Sequence, residues 1–215
     1  MTWRQERAMR DFNLEAATYD SVPARVKMAS DVADAILDTV AVTKEMDVLD
    51  FGCGTGLVSV RLHDQVRSVT CADNAPGMLE TLEAKVQANG IENIKTLYVD
   101  ITSGARLDGR FDLVVSNMAF HHIEDIDGLL AQFADVLVKG GHACVADLDL
   151  ENGKFHADSS GVFHNGFDRE AMRHSFERAG FEDVHVRTAA TMEKPDVDGN
   201  LRDFTIFLTS GRKRD

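Results

Sequence analysis

Apolar positions along the chain alternate between two rhythms. Between residues 24 and 40, Ala29, Val32, Ala33, Ile36, Leu37 and Val40 fall at helical spacing, and the "DVLDF" that follows is a compact apolar run closed by glycines. Helix then strand is the reading, and it repeats. "LVSVRL" reads as a helix after the glycines and "SVTCAD" as a strand. "APGMLETLEAKVQANG" reads as a helix with Met78, Leu79, Leu82 and Val86 inward and Gly90 as its stop. "IKTLYVD" and "FDLVVSN" read as the third and fourth strands, "IDGLLAQFADVLVKGG" as a helix ended by glycine, and "HACVADL" as the fifth strand. Strands alternating with helices predict an α/β, doubly wound parallel sheet with helices on both faces.

The last third breaks the rhythm. After a polar stretch at residues 151–166, "DREAMRHSFERAG" predicts a helix capped by Asp168 and ended by Gly180, followed by two alternating runs, "DVHVRT" and "RDFTIFLTS". The segment between them, "AATMEKPDVDGN", lacks a helical period and is rich in turn formers, so the two strands are expected to form a C-terminal antiparallel hairpin. With no repeat or long linker, residues 1–215 are expected to be a single domain.

A chain of 215 residues, 44% hydrophobic, has enough apolar surface for one core. Thirty-six acidic against 23 basic residues leave a formal charge of −13, a field that repels nucleic acid and anionic membrane and favours small-molecule partners. Arg4, Arg7 and Arg10 near the start and "GRKRD" at the end are local exceptions, read as solvated termini. "MTWRQERAMRDF" has no secretory pattern and no stretch approaches the ~20 apolar residues of a membrane span, so a cytoplasmic protein without membrane insertion, monomer or homodimer, is expected. Cys53, Cys71 and Cys144 form no CxxC pair and read as buried thiols rather than as a disulfide framework or zinc site.

The chemistry concentrates in "VLDFGCGTG". Gly52, Gly54 and Gly56 allow a tight turn and a ligand's approach to main-chain atoms, beyond the carboxyl end of a strand where open sheets bind ligands. Asp73 ends the next strand 19 residues after Gly54, close to the ~20 at which an acid meets a ribose in dinucleotide folds. An adenosine-containing ligand fits both features. Leu57 stands where a dinucleotide fingerprint needs a small residue, and neither tyrosine lies three residues before a lysine, which disfavours a nicotinamide reductase.

Taken together, "VLDFGCGTG", "VTCADNAPGM", "LYVDI", "FDLVVSNMAFHHIED" and "LVKGGHACVAD", in this order and spacing, resemble the class I S-adenosylmethionine (SAM) dependent methyltransferases, in the small-molecule branch of ubiquinone/menaquinone-biosynthesis-like enzymes. The resemblance runs from "FNLEAATYD" to "FTIFLTSGR" and implies a mostly parallel, seven-stranded Rossmann-like sheet. It implies that Asp50, Gly52, Cys53, Gly54 and Gly56 hold the methionine part of SAM and that Asp73 takes the ribose hydroxyls. Asn74 and Met78 would flank the adenine, Asp100 with Ile101 would address its edge, and Ser116, Asn117 and Met118 would line the methionine end. Singly, each acid is also a plausible loop cap or turn former, and Met78 lies on an apolar stripe with Leu79 and Leu82 that suits a core residue equally.

Methyl transfer from a sulfonium requires alignment, exclusion of water and, for some acceptors, a base. The resemblance places "FHHIED" beside the methyl group, so His121 and His122 are candidate bases, with capping or pocket lining as the alternative role. The 151–166 stretch is long for a connection and carries Phe155, His156, Phe163 and His164; it is expected to act as a lid, with His164 a further catalytic candidate, and nothing in its spacing is diagnostic of a metal site. Tyr19 resembles the family's N-terminal segment, residues 1–23 here, that folds over the cofactor, with Trp3 and Phe12 adding to that cover or burying themselves at the sheet edge. The expected activity is transfer of a methyl group from SAM to a small-molecule acceptor, leaving S-adenosylhomocysteine; the alternative is a non-catalytic SAM-binding protein of the same fold.

Overall fold

A computed structural model describes residues 11–214. Among these residues six helices, α1 (Phe12–Tyr19), α2 (Pro23–Thr39), α3 (Leu57–Leu62), α4 (Pro76–Ala88), α5 (Ile126–Val136) and α6 (Arg169–Arg178), surround one sheet. Its strands are β1 (Asp47–Phe51), β2 (Ser68–Asp73), β3 (Ile94–Tyr98), β4 (Phe111–Asn117), β5 (Leu137–Leu148), β6 (Phe181–Pro195) and β7 (Leu201–Lys213). The spatial order is β3-β2-β1-β4-β5-β7-β6, parallel from β3 through β5, with β7 antiparallel to both β5 and β6. Strand order therefore reverses between β1 and β4, which opens a crevice beyond their carboxyl ends.

Successive residues of each inner strand serve opposite cores. Val48, Val69, Cys71, Leu113 and Val115 pack against α2, α3 and α4, while Leu49, Phe51, Ala72, Val114 and Val145 pack against α5 and α6. Because both faces are covered, these strands read as unbroken apolar runs rather than as alternations. Local signals set the helix starts: Pro23 opens α2, and the Asp125 and Asp168 carboxylates accept the backbone N–H groups of Gly128 and Ala171, each at 2.9 Å.

Three boundaries differ from the sequence reading. The helix expected to run to Gly141 ends at Val136; residues 137–141 are extended and enter β5 through a bulge opposite β4, with Gly140 at φ 73 and Gly141 packed between the Asp112 and Val138 carbonyls. The hairpin strands continue through most of the segment read as a connection, leaving the turn to residues 196–200, because Ala190 and Met192 are buried in the core beside Phe204 and Lys194 lies over the Phe155 ring. Helix α1 was not anticipated; its sequence has little apolar asymmetry, and it is held by contacts with Ala75 and Met78.

Candidate functional site

A cavity of about 450 Å³ opens at the crevice between β1 and β4. Its floor is the glycine loop and the ends of β2 and β4, its roof is Phe12 and Tyr19 of α1, and Arg25 and Met28 of α2 with Ser160, Gly161 and Phe163 of the long loop close its sides.

The glycine loop is pinned to β2, since the N–H groups of Gly52 and Cys53 donate to the Ala72 carbonyl at 2.8 and 3.2 Å. Gly52 lies at φ 67, and a Cβ there would sit 2.4 Å from that of Ala119. Gly54, at φ 54, differs: the nearest atom to an added Cβ is the Met78 sulfur at 4.0 Å, so this backbone faces open cavity. Its N–H donates to Asp73 Oδ2 at 2.8 Å, while Ala75 N–H donates to Asp73 Oδ1 at 2.9 Å. Burial raises the Asp73 carboxyl's pKa, and the N–H donors of Gly54, Ala75 and Asn74 oppose that rise.

Beneath the loop, Asp50 is 2% exposed and accepts from the Ser59 hydroxyl at the start of α3. Burial drives its pKa up to about 7 against that hydrogen bond, and the nearby Asp73 charge adds to the rise. The Cys53 thiol is pushed well above its usual value by burial, so it stands here as a neutral wall.

Of the residues singled out from the sequence, Tyr19, Asp50, Gly52, Cys53, Gly54, Asp73, Asn74, Met78, Ile101, Asn117, Met118 and His122 line this one cavity. Asn117 presents a buried Oδ1 with no hydrogen-bond partner among the described residues. Met118 takes a positive φ of 56, which turns the chain across the cavity floor.

Five others are brought close but stand outside the lining. Gly56 starts α3 at φ 74 and packs on Leu82, where a Cβ would meet Cδ1 at 2.4 Å. Ser116 donates its hydroxyl to the Phe51 carbonyl at 2.9 Å, tying β4 to β1. Asp100 caps the turn that follows β3: its Oδ1 accepts from the Thr102 hydroxyl and N–H, and these bonds with that of the Asn74 side chain hold its carboxyl below the usual range. Ile101 and Thr102, not Asp100, face the cavity.

The remaining two are histidines. His121 is 2% exposed, with ring Nδ1 2.8 Å from Asp147 Oδ1. His164 lies with Nε2 2.9 Å from the Ile123 carbonyl and its ring against Phe167, so it struts the long loop rather than facing the cavity. His122 does face it, and its Nδ1 lies 2.7 Å from the Gly161 carbonyl. A carbonyl only accepts, so Nδ1 carries the proton and Nε2 is the acceptor nitrogen of the neutral ring. The loop thus supplies cavity lining at residues 160–163, while its Phe155 is buried against Phe204 and its His156 packs beside His121. Among the described residues no group of three or more His, Cys, Asp or Glu is arranged to hold a metal.

Sequence reasoning missed Arg25, Met28 and Thr102. Arg25 stacks 4.3 Å over the Tyr19 ring and lies 3.6 Å from Glu15, contacts between helices that no spacing in the chain announces. Helix α1 is fastened at both ends. Gly77 N–H donates to Asn13 Oδ1 at 2.8 Å; at the other end the Thr55 hydroxyl and the Lys85 ammonium both meet Asp20 at 2.6 Å, and Lys85 also donates to the Thr55 carbonyl at 2.7 Å. Trp3, read as part of the cover, lies outside the described residues.

A glycine loop at the switch point, an acid at the end of the neighbouring strand and a cavity joining them define a doubly wound α/β protein with the features at which such folds bind adenosine-containing ligands. The chain belongs to the class I SAM-dependent methyltransferases. A family profile described as a methyltransferase domain matches residues 48–141. A malonyl-[acyl-carrier protein] O-methyltransferase of Geobacter sulfurreducens is 30% identical over 209 residues, 89% of this chain and 76% of that protein. An uncharacterised methyltransferase of Mycobacterium tuberculosis is 35% identical over 129 residues, 59% of this chain, and the match spans 64% of that relative's length. In fold the chain is similar to a Haemonchus contortus phosphoethanolamine N-methyltransferase 2 solved with phosphomonomethylethanolamine and S-adenosylhomocysteine, with TM-score 0.72 and 16% identity over 99% of this chain and 62% of that one. SAM is the cofactor of this family, and three features of the cavity fit it: a glycine backbone with room in front of it, a carboxylate at the β2 end and an acceptor oxygen without a partner among the described residues.

Proposed function

We propose that the whole chain works as one SAM-dependent methyltransferase domain and transfers the methyl group to a nitrogen or oxygen of a small acceptor. The reading rests on one observation: the Asp73 carboxylate with its glycine loop and the His122 imidazole, held by the Gly161 carbonyl, open onto the same cavity. When bound, SAM supplies an electrophilic methyl on a positively charged sulfur. The chain's own residues do the rest. The main chain from Gly52 to Gly54 takes the amino-acid tail, Asp73 accepts from the ribose hydroxyls, and Met78 and Ile101 pack on the adenine. Asn117 Oδ1 offers its lone pairs to the donors of the tail. Phe12, Tyr19 and Phe163 exclude water, and His122 Nε2 takes the proton that the acceptor loses as its new bond to carbon forms.

The test pairs binding with turnover. Titration calorimetry with SAM and S-adenosylhomocysteine is run beside mass detection of S-adenosylhomocysteine produced with a panel of phenols, carboxylic acids and amines. Product is expected with at least one class, and His122→Gln should lower turnover by roughly 10²–10⁴-fold while leaving SAM affinity near that of the wild type. Tight SAM binding with no product across the panel would favour a non-catalytic SAM-binding protein instead.

A further inference from the structure

We propose that Asp147 is a positioning residue for the reaction: through His121 and the loop that His121 anchors, it sets the ring tautomer and the aim of His122. The proposal rests on the reading of His122 as the base.

Asp147 has no exposed surface, and it stands among Ala143, Cys144, Val145, Ala146 and Leu148, all buried at 1% exposure or less. A carboxylate in such a place costs several kcal/mol unless its lone pairs are filled. They are filled by the protein: Leu148 N–H donates to Oδ1 at 2.7 Å, His121 Nδ1–H to the same oxygen at 2.8 Å and His121 N–H to Oδ2 at 3.2 Å. Burial pushes the carboxyl's pKa up, but the His121 ring and these donors outweigh it and hold it below its ordinary value.

His121 is thereby gripped at main chain and ring together, and its carbonyl passes the constraint on. That carbonyl accepts from Phe163 N–H at 2.9 Å and His164 N–H at 3.3 Å, which seats the far end of the long loop. Two residues back along the loop, the Gly161 carbonyl receives His122 Nδ1–H at 2.7 Å. The His121 and His122 rings also pack with centroids 4.2 Å apart. Asp147 itself does not line the cavity, so it acts on the base only through this chain of contacts. Were Gly161 to shift, the Nδ1–H donor would lose its acceptor and the ring would no longer be held to the Nδ1–H tautomer; a neutral ring with its proton on Nε2 offers no lone pair there to take up a proton.

The experiment reads the protons directly. The full-length chain is labelled with 15N-histidine, and two-bond 1H–15N correlation spectra report which ring nitrogen bears the hydrogen. In the wild type, both rings should carry a hydrogen on Nδ1, and spectra taken at a pH where the rings are neutral should show the Nδ1–H pattern for His122. In Asp147→Asn the His122 pattern should become mixed, turnover should fall on the order of 10–100-fold, as when the outer partner of a metal-bound histidine is removed, and SAM affinity should stay within about 2-fold. Because Asp147→Asn stands in the core, a second pair guards the test. In His121→Asn the side-chain amide replaces the Nδ1–H donor and should preserve both the His122 pattern and turnover; His121→Leu removes the donor and should lose both. An unchanged His122 pattern in Asp147→Asn or His121→Leu, or equal losses in His121→Asn and His121→Leu, would overturn the proposal. Full activity in His122→Gln would instead remove the base, while the spectra would still report whether Asp147 orders the ring.

Discussion

Replacing Asp73 by alanine tests the centre of the cofactor reading. Its carboxylate already accepts from Gly54 N–H at 2.8 Å and Ala75 N–H at 2.9 Å, with Asn74 N–H a third donor, which leaves acceptor capacity for a ribose hydroxyl. A hydrogen bond to a charged acceptor contributes ~1.5–3 kcal/mol, so losing the ribose contact should weaken SAM binding about 12- to 150-fold. Fold stability changes less. Three backbone donors lose their partner, at ~1–3 kcal/mol each if unsolvated, but water entering the vacated space satisfies them, and burial already disfavours the charged carboxylate, so its removal relieves that burden. The melting temperature should therefore fall by only a few degrees, since ~1 kcal/mol corresponds to ~2–4 °C at this size. Calorimetric titration with SAM, beside thermal unfolding of the same samples, separates the two effects. An unchanged Kd with a lowered melting temperature would mean that Asp73 merely fastens the loop, and the ribose would have to lie elsewhere.

Gly54→Val should abolish SAM binding by calorimetry while costing ~1–2 kcal/mol of stability, because its side chain would project into open cavity from a left-handed backbone; normal binding would take the loop out of the site. Asp50 carries a pH signature. Its folded pKa, pushed up to about 7, lies above the ordinary aspartate value of about 3.9, so the folded protein holds the proton more tightly, and the stability this contributes is complete below about pH 4 and lost as pH rises to about 7. At ~1.4 kcal/mol per unit the loss is on the order of 4 kcal/mol, and Asp50→Asn should abolish it in urea unfolding between pH 4 and 8. Identical slopes for variant and wild type would contradict the assignment.

The periodic elements were legible because both faces of the sheet demand apolar side chains, and the glycine loop was legible because its φ values admit little else. What escaped the sequence depends on contacts between distant segments. Asp100 and Ile101 are neighbours in the chain, but only the turn after β3 decides that the isoleucine faces the cavity. His121 and His122 are candidate bases in sequence and His164 a further one in the long loop, and their roles separate only when Asp147, Gly161 and Ile123 are seen to hold one nitrogen of each. Ser116 and Gly56 occupy the expected motifs, yet a strand tie and a packed leucine account for them.

Helix α1 is eight residues long, too short to persist alone in water, and its fasteners lie on Thr55, Gly77 and Lys85, in the glycine loop and α4. The roof is therefore fastened to the same loop and helix that give Gly54, Thr55 and Met78 to the cavity lining, and for SAM bound there linkage makes the two stabilities reciprocal: whatever factor the docked helix adds to SAM affinity, SAM adds to the docking of the helix. Cutting the chain between α1 and α2 would consequently be a reporter of occupancy, slow on the loaded protein and fast on the empty one, with no substrate needed to read it.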